Sequence, residues 1–144
     1  MNHNVLCLVF FCCVIQIFSF EVPDKFIDTA TAECLKKFNF DKTILSKYVD
    51  EKFRIINLDE VGYKLAKCAI EKGYYYNADG EFNREAIIDE TIKAFELYVQ
   101  REVEDKRAVS TALVDNCITR NGKDQVEEMQ NFNNCLVREA QKYN

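Results

Sequence analysis

Apolar residues recur along this chain at intervals of three and four, the spacing of helix faces. Nowhere do they alternate with polar residues as a half-buried strand would require. From residue 20 onward the pattern predicts about six short helices. Pro23 reads as the opening of the first, at a position where its missing N–H does no harm, with Phe26, Ala30, Cys34 and Phe38 on one face. Asp41 is placed to cap a short second helix carrying Ile44, Leu45, Tyr48 and Val49. Phe53, Ile55 and Ile56 form an apolar connector. Asn57 or Asp59 then starts a third helix with the stripe Val61, Leu65, Cys68 and Ala69, and Gly73 is its natural stop. The segment GYYYNADGEFN reads as a loop. Asn83 caps a fourth helix with Ile88, Ile92, Phe95 and Val99 along one side. The run REVEDKR holds no helix breaker, so this helix is free to continue to about residue 119; a break near residues 101–106 is the expectation. A fifth helix carries Val109, Ala112, Leu113 and Cys117 and ends at Gly122. Asp124 caps a sixth with Val126, Met129, Phe132 and Leu136 on one side. The expected fold class is all-α, a compact bundle of short helices rather than a long coiled coil.

The first 19 residues break this pattern. Residues 5–18, VLCLVFFCCVIQIF, carry no charge and match the core of a signal peptide. The run is shorter than the roughly 20 apolar residues that a membrane span needs. Ser19 offers the small residue that cleavage requires, so residues 1–19 read as a signal peptide and residues 20–144 as the mature domain, starting near Phe20 or Glu21. That segment takes with it Cys7, Cys12, Cys13 and the sole histidine, His3. A secreted, extracellular location follows, without stable membrane insertion.

What remains is one domain with four cysteines, no histidine and no tryptophan. An even cysteine count in a small exported chain reads as two disulfides, and four cysteines allow about three pairings. Every Asp, Glu, Lys and Arg lies in this part, so its net charge is still −5, which argues against nucleic acid as a partner. Histidine acid–base catalysis is excluded, the paired carboxylates at Glu102/Glu104 and Glu127/Glu128 lie on solvated charged stretches, and the chain reads as a non-enzyme. No cysteines are close enough for a zinc site. The loop YYNADGEFNREA places Asp79-Gly80 at an EF-hand offset, but Tyr75 and Ala86 stand where acidic ligands belong, so neither metal nor cofactor is expected.

The cysteine spacing, C-x33-C-x48-C-x17-C over Cys34, Cys68, Cys117 and Cys135, carries a resemblance. It is similar to the frame of the insect odorant-binding proteins of the pheromone and general odorant-binding type. In that frame, with its C-x3-C and C-x8-C-x8-C spacings, two further cysteines would stand at Lys64, ahead of Cys68, and at Val126, midway between Cys117 and Cys135. The segments AKCAIEKG, NADGEFNREAI and DNCITRNGKDQVEEMQNFNNCL are similar to the family's third helix, following loop and last two helices. The x48 gap is longer than usual. The chain thus resembles the four-cysteine, "minus-C" branch of the family.

The resemblance implies the bridges Cys34–Cys68 and Cys117–Cys135, six helices around an apolar cavity, and a carrier of small hydrophobic ligands such as odorants, pheromone-like volatiles or lipids. A membrane receptor is a further candidate partner, and the oligomeric state stays open. From the stripes, the candidate ligand-binding residues are Phe53, Ile56, Leu65, Ala69, Ile88, Ile92, Phe95, Leu113, Phe132 and Leu136. The tyrosines are the amphipathic choices for an orienting hydrogen bond. The competing reading is a secreted interaction, signalling, salivary or venom protein that uses the same scaffold through its outer surface.

Overall fold

The structure, a computed structural model, describes residues 20–119 and 121–144; the apolar N-terminal segment with Cys7, Cys12 and Cys13 lies outside them. The described chain is helical, with two isolated antiparallel bridges, Val49–Ile55 and Tyr76–Phe82, and no longer strand pairing. Six α-helices follow one another: α1 (Thr29–Lys37), α2 (Glu60–Lys72), α3 (Arg84–Lys93), α4 (Phe95–Tyr98), α5 (Lys106–Cys117) and α6 (Gln125–Ala140). Short 3₁₀ turns at Asp24–Phe26, Lys42–Lys47 and Gln141–Tyr143 complete the path.

Side-chain caps set most of the helix starts. Asp59, Asn83 and Asp124 accept a hydrogen bond from the backbone N–H of Gly62, Ala86 and Glu127, and Asp41 does the same for Thr43 at the 3₁₀ turn. The first helix begins later than the sequence suggests. Pro23 opens only the 3₁₀ turn; Ile27 is extended, and Asp28 restarts the chain as α1 by accepting from Thr31 N at 2.7 Å. Asp105 caps α5 in the same way, so the break lies between Tyr98 and Lys106. Gly73 ends α2 with an extended rather than left-handed backbone. Its reason for being glycine is steric, since a Cβ there would stand 2.7 Å from the Tyr75 ring. Gly122 does not end α5, which stops at Cys117; it lies in the turn into α6, where a Cβ would meet Glu128 N at 2.5 Å.

Two apolar clusters hold the bundle. One gathers Ile88, Phe95, Leu113, Val114, Phe132 and Leu136 from α3 to α6. The other surrounds a disulfide, with Val22, Leu35, Leu45 and Leu65 packed about Cys34 and Cys68. The bridges are Cys34–Cys68, which pins α1 to α2, and Cys117–Cys135, which pins the end of α5 to α6. No covalent link joins α2 to α6. At that junction Val126 is buried, and the Tyr63 hydroxyl donates to Asp124 at 2.8 Å. The Lys64 ammonium turns away to lie over the Phe38 ring, 4.5 Å from its centroid.

The connector between the second 3₁₀ turn and α2 is locked onto α6. Ile55 N donates to Asn134 Oδ1 at 2.8 Å, and Ile55 O accepts from Asn134 Nδ2 and Gln130 Nε2. Asp50 folds the preceding turn by accepting from Lys52 N and Arg54 N. Phe53 is left in the left-handed region at φ 61°, a conformation costly for a bulky residue. Its carbonyl accepts from Asn133 Nδ2 at 2.9 Å, and its ring meets Phe20 and Phe26 edge-on.

Candidate functional site

The two clusters do not close completely on each other. Between them lies an apolar cavity of about 330 Å³, at the small end of the range that small-molecule sites occupy. Its hollowness traces to side-chain size on α2. Ala66 and Ala69 leave the middle of its inner face short of side-chain volume, while Ile70 fills the next turn and the Tyr48 ring packs onto Gly62, where a Cβ would stand 2.6 Å from it. Ala94 after α3 adds a further small residue. Opposite them, Met129, Phe132 and Leu136 of α6 form the facing wall, and Phe26, Phe53 and Ile55 close the connector side.

Of the ten residues read from the sequence as candidates, Phe53, Ala69, Phe132 and Leu136 line this cavity. The other six do not. Ile88, Phe95 and Leu113 are almost wholly buried in the larger cluster, where they are packing rather than wall. Leu113 is remote for a topological reason: α5 packs against α3 and α6 and contributes no lining residue. Ile92 packs from the side onto the same cluster, and Leu65 is buried beside the Cys34–Cys68 bridge. In the connector, Ile55 rather than Ile56 is the lining residue. On α3 it is Ile87, one position before the expected Ile88. Sequence reasoning named Ala69 but missed Gly62 and Ala66 beside it on α2. It also missed larger lining residues such as Leu45, Val49, Leu58, Ile70 and Leu97, which lie in turns or off the stripes it followed, and Met129 on the α6 stripe.

The polar lining is sparse and already engaged. Tyr48, Tyr75 and Tyr98 reach the cavity, while Tyr63, Tyr74, Tyr76 and Tyr143 do not. Tyr48 donates to Asp59 Oδ1 at 2.8 Å, and Tyr98 to Asn133 Oδ1 at 3.3 Å. Tyr75 donates to Asp28, the same carboxylate that caps α1. Burial pushes the Tyr98 hydroxyl up to about 12. Burial, with the Asp28 charge behind it, pushes Tyr75 higher still, and burial with the Asp59 hydrogen bond raises Tyr48. All three stay neutral throughout the physiological range, and each keeps its proton on the hydrogen bond it already makes. Asp28 and Glu90 are the charged residues of the lining; Lys93 on the outer side pairs with Glu90.

This arrangement has the parts for holding an oily molecule. Among the described residues no group of three or more His, Cys, Asp or Glu is placed to hold a metal. Among them, too, no helix is long and apolar enough to cross a membrane. Fold and cavity together define a disulfide-stapled helical binding protein with an apolar interior. The PBP/GOBP family model matches residues 23–139, and the chain belongs to this family, the insect odorant-binding proteins. Its two disulfides fit the minus-C type. Nothing matches among curated proteins or among solved structures. At the level of the family, this is a binding protein with an odorant- or pheromone-carrier role, among relatives that are secreted.

Proposed function

We propose that this protein is a secreted carrier that shelters a small hydrophobic molecule in the cavity between α2 and α6. Residues 1–19 serve as a cleaved signal peptide in this reading, and the chain performs no catalysis. The observation that carries it is the hollow itself. Where α2 could have filled the space with larger side chains it offers Ala66 and Ala69 instead. Close packing is the rule in protein interiors, so a void of this size is retained for a use.

The magnitude is compatible with reversible carriage. At about 30 Å³ per methylene-sized group the cavity takes roughly ten heavy atoms. Burying such a chain at about 25 cal/mol per Å² yields several kcal/mol before immobilisation costs, which places affinity in the micromolar range. The surface-acting alternative has less to stand on. Val61, Tyr63 and Tyr74 are the exposed large apolar side chains among the described residues, and two of them are engaged, Tyr63 by its hydrogen bond to Asp124 and Tyr74 by its ring against Tyr75.

The test is displacement of an environment-sensitive hydrophobic dye from the secreted protein by a homologous series of aliphatic compounds. The carrier reading expects affinity to rise with chain length up to about ten heavy atoms and then to level off. A protein that neither takes up the dye nor releases it to any member of the series is not a carrier of this kind.

A further inference from the structure

The hydrogen-bonding state of the lining narrows the ligand class beyond hydrophobicity. Around the cavity the side-chain donors are largely spent on the protein. The hydroxyls of Tyr48, Tyr75 and Tyr98 donate to Asp59, Asp28 and Asn133, and Thr91 Oγ1 donates to the carbonyl of Ile87 at 2.8 Å. Asn133 Nδ2 is shared between Phe53 O and Asn134 Oδ1. The Thr31 hydroxyl and one N–H of Gln130 remain. What the rest can still offer is lone pairs, because each of these hydroxyl oxygens keeps acceptor capacity after donating. Two carboxylates, Asp28 and Glu90, add acceptors that have no donor form when ionised, and no Lys or Arg is among the described lining residues. Asp28 and Glu90 belong to one region, joined through neighbouring tyrosines: Tyr75 donates to Asp28, and the Glu90 carboxylate helps raise the Tyr74 hydroxyl to about 12.

We infer that the cavity selects amphiphiles whose head group donates hydrogen bonds, an alcohol or a protonated amine, over those ending in a carboxylate or a carbonyl. This rests on the carrier reading above. A hydroxyl or ammonium head finds acceptors at the Asp28–Tyr75 end while its chain lies along the α2 face. An aldehyde or ester head brings only acceptors and leaves its own oxygen buried with few donors to meet it, which costs about 1–3 kcal/mol. A carboxylate head suffers the same shortage and adds repulsion from Asp28 first, and less from Glu90, whose charge Lys93 partly offsets from the outer side.

The experiment compares four ligands of equal chain length, octanol, octylamine, octanal and octanoate, in the dye-displacement assay at pH 7 with the mature protein. Octanol and octylamine are expected to bind about 10-fold or more tightly than octanal, and octylamine about 100-fold more tightly than octanoate. Asp28→Asn keeps an N-cap of equal quality, because asparagine caps as well as aspartate. It should narrow the amine-to-acid gap at least about 10-fold; Glu90→Gln, away from the α1 cap, should narrow it in the same direction. Octanal or octanoate binding as tightly as octanol overturns the inference, as does a gap that both variants leave unchanged. If none of the four displaces the dye, the carrier reading itself falls, and the inference falls with it.

Discussion

Ala66→Leu is the substitution that most sharply separates a working cavity from an incidental gap. Ala66 lies on the α2 face turned to the hollow, between Gly62 and Ala69. Leucine adds three carbon atoms, about 90 Å³ at about 30 Å³ each, roughly a quarter of the 330 Å³ available. A ligand that fills the native cavity then loses room for about three methylenes. At about 0.8 kcal/mol each this is about 2.4 kcal/mol, or about a 50-fold loss of affinity. Folding stability should hold or rise, because leucine is nearly as good a helix former as alanine and the new side chain enters empty space. Octanol and pentanol are titrated against the dye-loaded protein, and urea unfolding is measured in parallel. The shorter alcohol still fits, so its affinity should change by less than about 3-fold and the native preference for octanol should collapse. Octanol affinity within about 2-fold of native, at unchanged stability, would refute the assignment of this hollow as the binding site.

Other outcomes follow from the same structure. The Cys34–Cys68 and Cys117–Cys135 bridges span sequence separations of 34 and 18, so paired replacement by alanine should cost about 3.8 and about 3.2 kcal/mol in urea unfolding. A loss below about 1 kcal/mol for both would contradict the staple argument. Ser110 is wholly buried with its hydroxyl unpartnered, so Ser110→Ala should stabilise the protein by about 1 kcal/mol, and a destabilised variant would reveal an unseen partner. Backbone N–H donation holds the Asp59 and Asp124 carboxyls below the usual carboxylate range. Depressed acids contribute stability above about pH 4 that is lost as pH falls through their lower folded values, whereas Tyr74, Tyr75 and Tyr98, all raised, contribute stability that is lost as pH climbs above about 10. With no histidine from residue 20 onward, a urea-midpoint transition near pH 6.5 would contradict this. The α2–α6 junction, tied by Val126 packing and the Tyr63–Asp124 hydrogen bond rather than a disulfide, should open more readily than α5. Amide exchange at residues 125–137 as slow as in α5 would count against it.

The helical plan was readable because caps are local. Asp41, Asp59, Asn83 and Asp124 each sit one residue before the element they start, and a side chain that reaches its own backbone needs no tertiary partner. Asp28 was overshadowed by Pro23, which suits a helix start but here begins only a single 3₁₀ turn. The disulfide pairing came from the resemblance and not from spacing, which leaves the alternatives open. The cavity wall was legible only in part, for a physical reason. Periodicity shows that a side chain points inward but not whether it meets packing or a void: Ile88, Phe95 and Leu113 fill the core, while Phe132 and Leu136, equally large and equally periodic, also reach the cavity wall. A hollow forms where side chains are missing. Ala66 and Ala69 mark it on α2, whereas Gly62 is small because the Tyr48 ring packs onto it; small residues at helical spacing serve either role, and only the tertiary arrangement shows which.

The most direct measurement is a set of intermolecular NOEs between octanol and the methyl-labelled mature protein in solution. The account predicts contacts from the octanol chain to the methyls of Ala66, Ala69, Met129 and Leu136, on both facing walls of the interior. Contacts confined to the exposed side chain of Val61, or none at a concentration that displaces the dye, would contradict it.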